Sequence, residues 1–330
     1  MSAGAQPSSA GEARAVAVTP DRGARTVVGL VGLGAMGRGV AANLLAKGFD
    51  VLGRDVSAAA CDWLRAQGGA VAADAQALAD GADVILSFVV DDRQTEAVLF
   101  GDGDGGGDAD GDRRGLASRL RPGTTVITCS TMAPAYVQAL APRLAALGLG
   151  LVDAPVTGGQ VGAQAGTLTV MCAGAPAHVE RARPVLEAFG RRVYVMGEQA
   201  GQGAQMKVIN QLLCGVHIAA AAEAMALARH HDLPLETTLE ILRSGAANSW
   251  MLGDRGPRMA RAAWDEVTSA LDIFVKDLGL VLDDSRAARM PAPVASAAFQ
   301  GFLGASARGW GRLDDSAVMR GYTVPLDDLS

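Results

Sequence analysis

Lys207 is the side chain in this sequence that is best suited to acid–base chemistry. It is the only lysine in a long, alanine-rich apolar run that extends from Gly203 to His231 without a proline. A lysine amine can take a proton from a hydroxyl group and return it to a forming alkoxide if its pKa falls from about 10.4 to roughly 7–8. Because burial or a neighbouring positive charge lowers the pKa of a lysine, these apolar surroundings favour a proton-transfer residue over a solvated one.

Polar side chains follow Lys207 at helical spacing. Asn210 comes three residues later, so a helix presents both side chains on one face. Such a face can offer the amine to a reacting oxygen and the amide to a neighbouring hydroxyl or carboxylate, with a helix-packing amide as the alternative for Asn210. Cys214 and His217 continue this face, and we interpret His217 as a packed core histidine because it lies nearly three turns beyond the lysine.

A second candidate binding element is the turn formed by Thr157, Gly158 and Gly159. Two consecutive glycines can expose backbone N–H groups to a carboxylate, and the threonine adds a hydroxyl group. The alternative is a plain turn without a ligand. The acidic net charge of −6 does not exclude an anionic substrate, because backbone N–H groups bind anions locally.

The segment GLGAMG fits the dinucleotide-binding pattern G-x-G-x-x-G. An apolar strand is predicted before it, at residues 26–32, and a helix from Ala35 to Lys47 is predicted after it. The first glycine permits a tight turn, the second admits the pyrophosphate, and the third lets helix and strand pack closely. The N-terminus of the helix then offers N–H groups to the phosphates. The predicted cofactor-binding residues of this segment are Gly32, Gly34, Ala35, Met36 and Gly37.

Asp55 ends the next predicted strand, where an acidic residue accepts hydrogen bonds from the ribose hydroxyls of the adenosine. Its charge would repel a 2′-phosphate, so the sequence predicts NAD rather than NADP. Arg54 is an opposing signal, because an arginine at this place can pair with that phosphate. No GK[ST] follows the glycines, which argues against a P-loop.

Strand-like and helix-like segments alternate through the first half of the chain, whereas strand signals end near Val195. This order predicts an α/β Rossmann-type domain, with a doubly wound parallel sheet, followed by an all-α C-terminal domain. We expect a disordered tail at 1–25, the NAD-binding domain at 26–197 and the helical substrate and oligomerisation domain at 198–330. The Gly- and Asp-rich residues 101–115 are expected to be a flexible insertion.

Composition excludes several classes of protein. The sequence shows no basic stripe typical of nucleic-acid binders, and we identify no signal peptide and no credible membrane span. The cysteines are dispersed and lack zinc-ligand spacing, so we expect no metal, free thiols and a cytoplasmic location. These cysteines are Cys61, Cys129, Cys172 and Cys214.

Five sequence blocks together resemble the β-hydroxyacid dehydrogenase superfamily, which includes the 3-hydroxyisobutyrate dehydrogenases. The blocks are GLVGLGAMGRGVAANLLAKGFDV, Ser130-Thr131, DAPVTGG (153–159), GQGAQMKVIN (201–210) and FVKDLGL (274–280). The resemblance covers nearly the whole chain after residue 26. It implies a dehydrogenase that binds NAD(H) and a small hydroxy acid, with a catalytic lysine on the helix between its domains.

The resemblance also implies roles for individual residues. Lys207 takes the catalytic position and Asn210 lies beside the substrate. Thr157, where serine is more usual, holds the substrate carboxylate together with Gly158 and Gly159. On the cofactor side, Thr131 is expected to contact the nicotinamide, and Lys276 to lie near the cofactor and close the cleft, although Asp277 could simply pair with it.

Within the superfamily, the C-terminal half is most similar to the L-threonate dehydrogenases. The blocks that carry this similarity are QLLCGVHIAAAAEAMALA, AANSWM, SALDIFVKDLGLV and DDSAV. It predicts oxidation of L-threonate at C2. The chain departs from this subgroup at 253–255, where we expect an asparagine, and Gly256 and Pro257 suggest a break in the helix. Ser249 and Trp250 could line the substrate pocket, with core packing as the alternative for the tryptophan.

Other functions stay open at this point. The same scaffold could oxidise 3-hydroxyisobutyrate or reduce tartronate semialdehyde, although Asp55 disfavours a reduction driven by NADPH. A non-catalytic dinucleotide-binding scaffold is the alternative from another class, and Lys207 with Asn210 argues against it. The alanine-rich helical half is compatible with a homodimer or homotetramer.

Overall fold

The computed structural model describes residues 25–101 and 115–322. The predicted disordered tail and the predicted flexible insertion therefore lie outside the described residues, apart from residues 25, 101 and 115.

The first half of the chain forms one sheet with helices on both faces. Its strands are β1 (Val27–Val31), β2 (Asp50–Arg54), β3 (Ala70–Val71), β4 (Val84–Ser87), β5 (Thr125–Thr128), β6 (Gly150–Asp153), β7 (Val156–Thr157), β8 (Leu168–Gly174) and β9 (Gly190–Gly197). Its helices are α1 (Ala35–Ala46), α2 (Ala58–Ala66), α3 (Ala75–Gly81), α4 (Asp92–Phe100), α5 (Pro134–Ala145), α6 (Gly159–Ala165) and α7 (Pro176–Phe189), with a 3₁₀ turn at Leu116–Arg119.

The central strands are parallel and lie in the order β3-β2-β1-β4-β5-β6. Strands β4, β5 and β6 are buried on both faces, which explains their continuous apolar sequences. One apolar cluster joins this sheet to α1, α2 and α7, and another joins its opposite face to α3, α4 and α5. The predicted doubly wound Rossmann-type sheet is thereby confirmed.

The far edge of the sheet differs from the predicted parallel arrangement. Strand β8 runs antiparallel to β6 and β7, and β9 pairs parallel with β8. Neither β8 nor β9 was predicted. A short buried apolar run such as β8 cannot be assigned to strand or helix from periodicity alone, and β9 carries two adjacent arginines and largely exposed side chains.

The second half of the described chain is helical. Its helices are α8 (Gln202–His230), α9 (Leu235–Ser244), α10 (Trp250–Arg261), α11 (Leu271–Ala287) and α12 (Pro293–Ala305), followed by a π-helical turn at Ser306–Trp310 and a 3₁₀ segment at Asp315–Gly321. One apolar cluster joins α8 to α9, α10, α11 and α12. The predicted all-helical character is confirmed, and the predicted division at residue 197 stays a prediction.

The predicted helix break at Gly256 and Pro257 is wrong. Both residues lie inside α10, which continues to Arg261. A Cβ atom at Gly256 would come within 2.4 Å of Leu239 on α9, so the glycine serves the close packing of two helices. The proline is tolerated within this helix without ending it.

Among the described residues, α8 is long and apolar enough to cross a membrane by length and composition alone. Half of its most apolar window is buried inside the protein. A core helix of this length passes the same test, and the packing of α8 against α10, α11 and α12 places it in that role.

Candidate active site

Lys207 is buried, with 8% of the residue exposed. Burial lowers the pKa of its amine below the ordinary value of 10.5, against an opposing effect of Asp277 and Cys214, and Lys276 lowers the pKa further. The two causes expected to lower the pKa of a proton-transfer lysine, an apolar environment and a positively charged neighbour, are therefore both present.

Hydrogen bonds join Lys207 to a second helix through Gln211. The amine Nζ donates to Gln211 Oε1 at 2.8 Å, and Asn210 Nδ2 donates to the same oxygen at 2.8 Å. On its other side, Gln211 Nε2 donates to Asp277 Oδ2 on α11. Gln211 and Asp277 were not predicted as site residues. The signals for them were the i, i+4 spacing from Lys207 and the position beside Lys276.

Lys276 connects α11 to the loop after β5. Its Nζ donates to the Thr131 carbonyl oxygen at 2.9 Å and pairs with Asp277 Oδ1 at 2.6 Å. The pairing with Asp277 that the sequence left open is therefore present, whereas the place of Lys276 beside the cofactor stays a prediction. Through Thr131, Lys276 holds the helical half against the strand ends of the Rossmann-type half.

The predicted anion-binding turn lies at the end of β7, where α6 begins. Gly158 and Gly159 have φ angles of +124° and +61°, a region that L side chains rarely adopt. No side chain caps the start of α6. Thr157 is partly exposed. Because α8 packs against β6, β7 and β8, this turn and the helix of Lys207 meet at the same part of the sheet.

The glycine fingerprint fits a dinucleotide. A Cβ atom at Gly37 would lie 2.0 Å from the Gly32 carbonyl oxygen, so α1 could not approach β1 with any other residue there. By contrast, no atom lies within 4 Å of the Cβ position of Gly34, which leaves room for a phosphate. Ala35 and Met36 form the first turn of α1, and no side chain caps its N–H groups.

The Asp55 carboxylate binds the backbone of the glycine fingerprint turn and of the start of α2. Its Oδ2 accepts the Leu33 N–H at 2.6 Å, and its Oδ1 accepts the Ser57 N–H at 2.8 Å. Each carboxylate oxygen keeps a second acceptor position for a ribose hydroxyl. The terminal Nη1 of Arg54 is buried and has no hydrogen-bond partner among the described residues, so this nitrogen does not face solvent as a free phosphate ligand.

Other predicted residues lie away from this cluster. Ser249 caps α10 by accepting the Leu252 N–H at 3.0 Å. Trp250 is 60% exposed, so its alternative role in the core is wrong. Both line an open cavity of about 340 Å³ between α9 and α10. Neither Lys207 nor the diglycine turn, Thr157 to Gly159, lines this cavity. His217 is half-buried.

The segment 253–255, which lacks the expected asparagine, fastens α10 to the C-terminal segment. Arg255 makes a bidentate pair with Asp315, at 2.8 and 2.7 Å. One turn on, Arg258 Nε donates to Asp314 at 2.9 Å. These buried pairs give the DDSAV block a structural role in the helical half.

Comparison with known families agrees with this geometry. Residues 27–197 match the family model for the NAD binding domain of 6-phosphogluconate dehydrogenase. Residues 201–322 match the model described as NAD-binding of NADP-dependent 3-hydroxyisobutyrate dehydrogenase. Together the two models span both the sheet and the helical half.

Individual relatives extend the similarity to nearly the full chain. The chain is 43% identical over 304 residues to an L-threonate dehydrogenase of Escherichia coli O6:H1, covering 90% of this chain and 96% of that protein. The corresponding enzyme of Cupriavidus necator is 42% identical over 293 residues, with coverages of 89% and 95%. A crystal structure of 3-hydroxyisobutyrate dehydrogenase from Salmonella typhimurium has a TM-score of 0.82 at 42% identity, covering 89% of this chain and 99% of that one. The chain therefore belongs to the β-hydroxyacid dehydrogenase superfamily of NAD-binding oxidoreductases, in its 3-hydroxyisobutyrate dehydrogenase-like family.

Proposed function

We propose that this protein oxidises L-threonate at C2 to the 2-keto acid, 2-dehydro-L-erythronate, with NAD as acceptor and Lys207 as general acid and base. The observation that carries the proposal is the buried Lys207 amine, whose pKa is lowered by burial. The choice of substrate is supported by relatives named L-threonate dehydrogenase at 40–43% identity.

The residues divide the chemistry between them. When bound, NAD supplies the acceptor for the hydride that leaves the substrate carbon. The neutral Lys207 amine takes the hydroxyl proton, and in the reverse direction the ammonium returns a proton to the forming alkoxide. Gln211 holds Nζ in place and accepts one of its hydrogen bonds. We assign Asn210 to a neighbouring hydroxyl group of the substrate, with its amide oxygen as the acceptor, because its amide nitrogen already donates to Gln211 and Cys214.

We assign the orientation of the substrate to the diglycine turn. The Thr157 hydroxyl and the N–H groups at Gly158 and Gly159 are the donors for the substrate carboxylate. We assign Thr131 to the nicotinamide side of the cofactor; its carbonyl oxygen accepts a hydrogen bond from Lys276. A carboxylate bound at the turn would direct the substrate hydroxyl towards the amine on α8.

For the cofactor we propose NAD over NADP. Asp55 places a negative charge at the end of β2 and already binds the fingerprint turn through the Leu33 N–H. The 2′-phosphate of NADP would meet this charge. We assign the binding of the cofactor pyrophosphate to the fingerprint residues Gly32, Gly34, Ala35, Met36 and Gly37.

A second candidate substrate is 3-hydroxyisobutyrate. The observation that favours it is the Salmonella typhimurium structure, which carries that activity in its name at 42% identity. The two acids share a carboxylate and a hydroxyl group, so the diglycine turn and Lys207 would serve either of them.

A substrate panel tests the proposal. L-threonate, 3-hydroxyisobutyrate and tartronate semialdehyde would be assayed with NAD(H) and NADP(H), using the wild type and Lys207→Ala. We expect L-threonate with NAD to give the highest kcat/KM, and Lys207→Ala to lose roughly 10²- to 10⁴-fold in kcat. Lys47→Ala, which removes an exposed lysine, is the matched control and should keep wild-type activity.

Three results would contradict the proposal. A loss below tenfold in Lys207→Ala is too small for a general acid–base group. A higher kcat/KM for 3-hydroxyisobutyrate would replace the substrate. Tight NAD binding by the wild type without NADH formation from any acid would favour a non-catalytic scaffold.

We further propose a homodimer or homotetramer in the cytoplasm. Large apolar side chains stay exposed along α8, with Ile209, Leu213 and Leu227 all at least 50% exposed, and such a stripe suits a second copy of the chain. The free cysteines suit a reducing compartment. Light scattering of the purified protein tests the oligomer, and a monomer at micromolar concentration would contradict it.

A further inference from the structure

Asp153 joins the last central strand to the first turn of α8. The residue ends β6 and is completely buried. Its Oδ2 accepts the Gly201 N–H at 3.0 Å and the Ala204 N–H at 2.8 Å. The N-cap residue of α8 is a glycine and has no side chain to accept these bonds, so a carboxylate from a distant strand does what an N-cap side chain usually does.

The start of α8 rests directly on the sheet. A Cβ atom at Gly203 would lie 2.5 Å from the Met171 carbonyl oxygen and 2.8 Å from the Asp153 carbonyl oxygen. These are backbone atoms of two paired strands, so they cannot give way as a flexible side chain could. The sheet and the carboxylate together fix both the position and the direction of the first helical turn.

Asp153 is linked by short stretches of chain to both elements assigned to the substrate, the Thr157–Gly159 turn and Lys207. Along the chain, Asp153 comes four residues before Thr157, at the start of the segment that ends in the diglycine turn. Ala204, which donates to the carboxylate, comes three residues before Lys207. Any movement of α8 relative to β6 would therefore change the distance between the Lys207 amine and the turn.

Burial of this charge is costly for the folded protein. Desolvation raises the pKa of Asp153 to about 6, although the hydrogen bonds from Ala204, Gly201 and Gly203 act to lower it. Its Oδ1 is buried and accepts no hydrogen bond from any described residue. A buried carboxylate that is only half satisfied opposes stability, so its position calls for a role other than stabilisation.

We propose that Asp153 is a positioning residue for hydride and proton transfer, because it holds the first turn of α8 on β6 and so sets Lys207 against the Thr157–Gly159 turn. This inference rests on the proposed role of Lys207. Among the described residues, the Asp153 carboxylate accepts its hydrogen bonds from the first turn of α8, so it acts on the Lys207 amine through the helix.

The test compares Asp153→Ala, Asp153→Asn and Asp74→Ala in the full-length protein. Alanine removes the acceptor for both N–H groups, so we expect kcat with the best hydroxy acid to fall roughly tenfold to a hundredfold, as for a misplaced catalytic group. The dissociation constant of NAD should stay unchanged, because the glycine fingerprint and Asp55 are untouched. Asparagine keeps one acceptor oxygen, so Asp153→Asn should restore most of kcat.

The control and a second readout separate positioning from general destabilisation. Asp74 caps α3 by accepting the Ala77 N–H at 2.7 Å, so Asp74→Ala removes an aspartate cap from a helix other than α8 and should leave kcat unchanged. Amide hydrogen exchange in the first turn of α8, at Gly201 and Ala204, should accelerate in Asp153→Ala and return towards the wild-type rate in Asp153→Asn.

The outcomes distinguish this inference from the proposed function. If Lys207→Ala abolishes turnover but Asp153→Ala keeps wild-type kcat, the positioning role is wrong while the function stands. If exchange in α8 does not change, the carboxylate does not hold the helix. If the wild type turns over no hydroxy acid, the function fails, and the exchange measurement still decides whether Asp153 holds α8. If Asp153→Ala does not fold, Asp153→Glu takes its place, because the longer side chain displaces the carboxylate. A loss in kcat of the folded Asp153→Glu supports the positioning role. A wild-type kcat in this variant overturns it.

Discussion

The amine of Lys207 lies 2.8 Å from Gln211 Oε1, one helical turn further along α8, and the amide nitrogen of the same glutamine donates to Asp277 on α11. One neutral side chain thus holds the lysine and separates it from a buried carboxylate. A direct ion pair with Asp277 would favour the charged amine and raise its pKa. The intervening glutamine fixes the position of Nζ with a weaker effect on its charge.

Replacing Gln211 tests this relationship. Gln211→Leu removes the acceptor of two hydrogen bonds and leaves Nζ less well placed, so we expect a loss in kcat of roughly tenfold to a hundredfold. Gln211→Glu puts a negative charge beside the amine and raises its pKa, so its activity should be low near neutral pH and recover as pH rises. The measurement is kcat against pH. Gln205→Leu, at an exposed position on α8, is the control, and equal losses in all three variants would contradict the prediction.

The pH dependence of oxidation follows from Lys207. Its pKa is lowered by burial and raised by Asp277, and only the neutral amine accepts a proton. The rate should therefore rise with pH through an apparent pKa below 10.5. In Asp277→Asn the raising effect is removed, so this limb should move to lower pH. A limb that stays in place, or moves to higher pH, would show that Asp277 does not act on the amine.

The sequence predicted the strands and helices that a local pattern of apolar residues identifies. Apolar runs followed by helices predicted β1, β2, β4, β5 and β6, and the long alanine-rich run predicted α8. The edge of the sheet was missed, because the pairing of β8 with β6 depends on contacts that no local pattern records. Strand β9 also exposes apolar side chains on both of its faces, so it lacks the alternation of a half-buried strand.

The same division applies to the site. Lys207 and Asn210 could be identified together because helical spacing places them on one face. Asp277 meets Gln211 only because α11 crosses α8, and Asp153 caps a helix whose N-cap residue, Gly201, lies 48 residues later along the chain. Such partners are set by tertiary packing, so the sequence gives their identity as polar residues but not their contacts.

Cofactor preference should change when Asp55 is replaced. Asp55→Ser removes the charge that would repel a 2′-phosphate, so kcat/KM with NADP relative to NAD should rise by roughly tenfold or more, which corresponds to about 1.4 kcal/mol. Activity with NAD should also fall, because the carboxylate holds the Leu33 N–H of the fingerprint turn. Asp62→Ser, on the exposed surface of α2, serves as the control. If kcat/KM with NADP relative to that with NAD does not change in Asp55→Ser, then Asp55 has a purely structural role.

The titration of Asp153 should appear in the stability of the protein. Its pKa is about 6 in the folded state, against an ordinary value of 3.8, so between these values the folded chain binds more protons than the unfolded chain. The contribution of Asp153 to the free energy of unfolding is therefore largest below about pH 4, and it is lost as pH rises to about 6. The loss is about 1.4 kcal/mol for each pH unit and about 3 kcal/mol in total.

Asp153→Asn cannot titrate, so the comparison with this variant isolates the effect from other carboxylates. The free energy of unfolding of the wild type minus that of Asp153→Asn, measured by urea titration, should fall between pH 4 and pH 6 and then level off. Among the described residues, the titratable groups that interact with this carboxylate are the thiols of Cys129 and Cys172. Burial raises the pKa of both thiols above the ordinary value of 9.0, so they stay neutral in this range. A difference that does not vary with pH would mean that the Asp153 carboxylate keeps an ordinary pKa despite its burial.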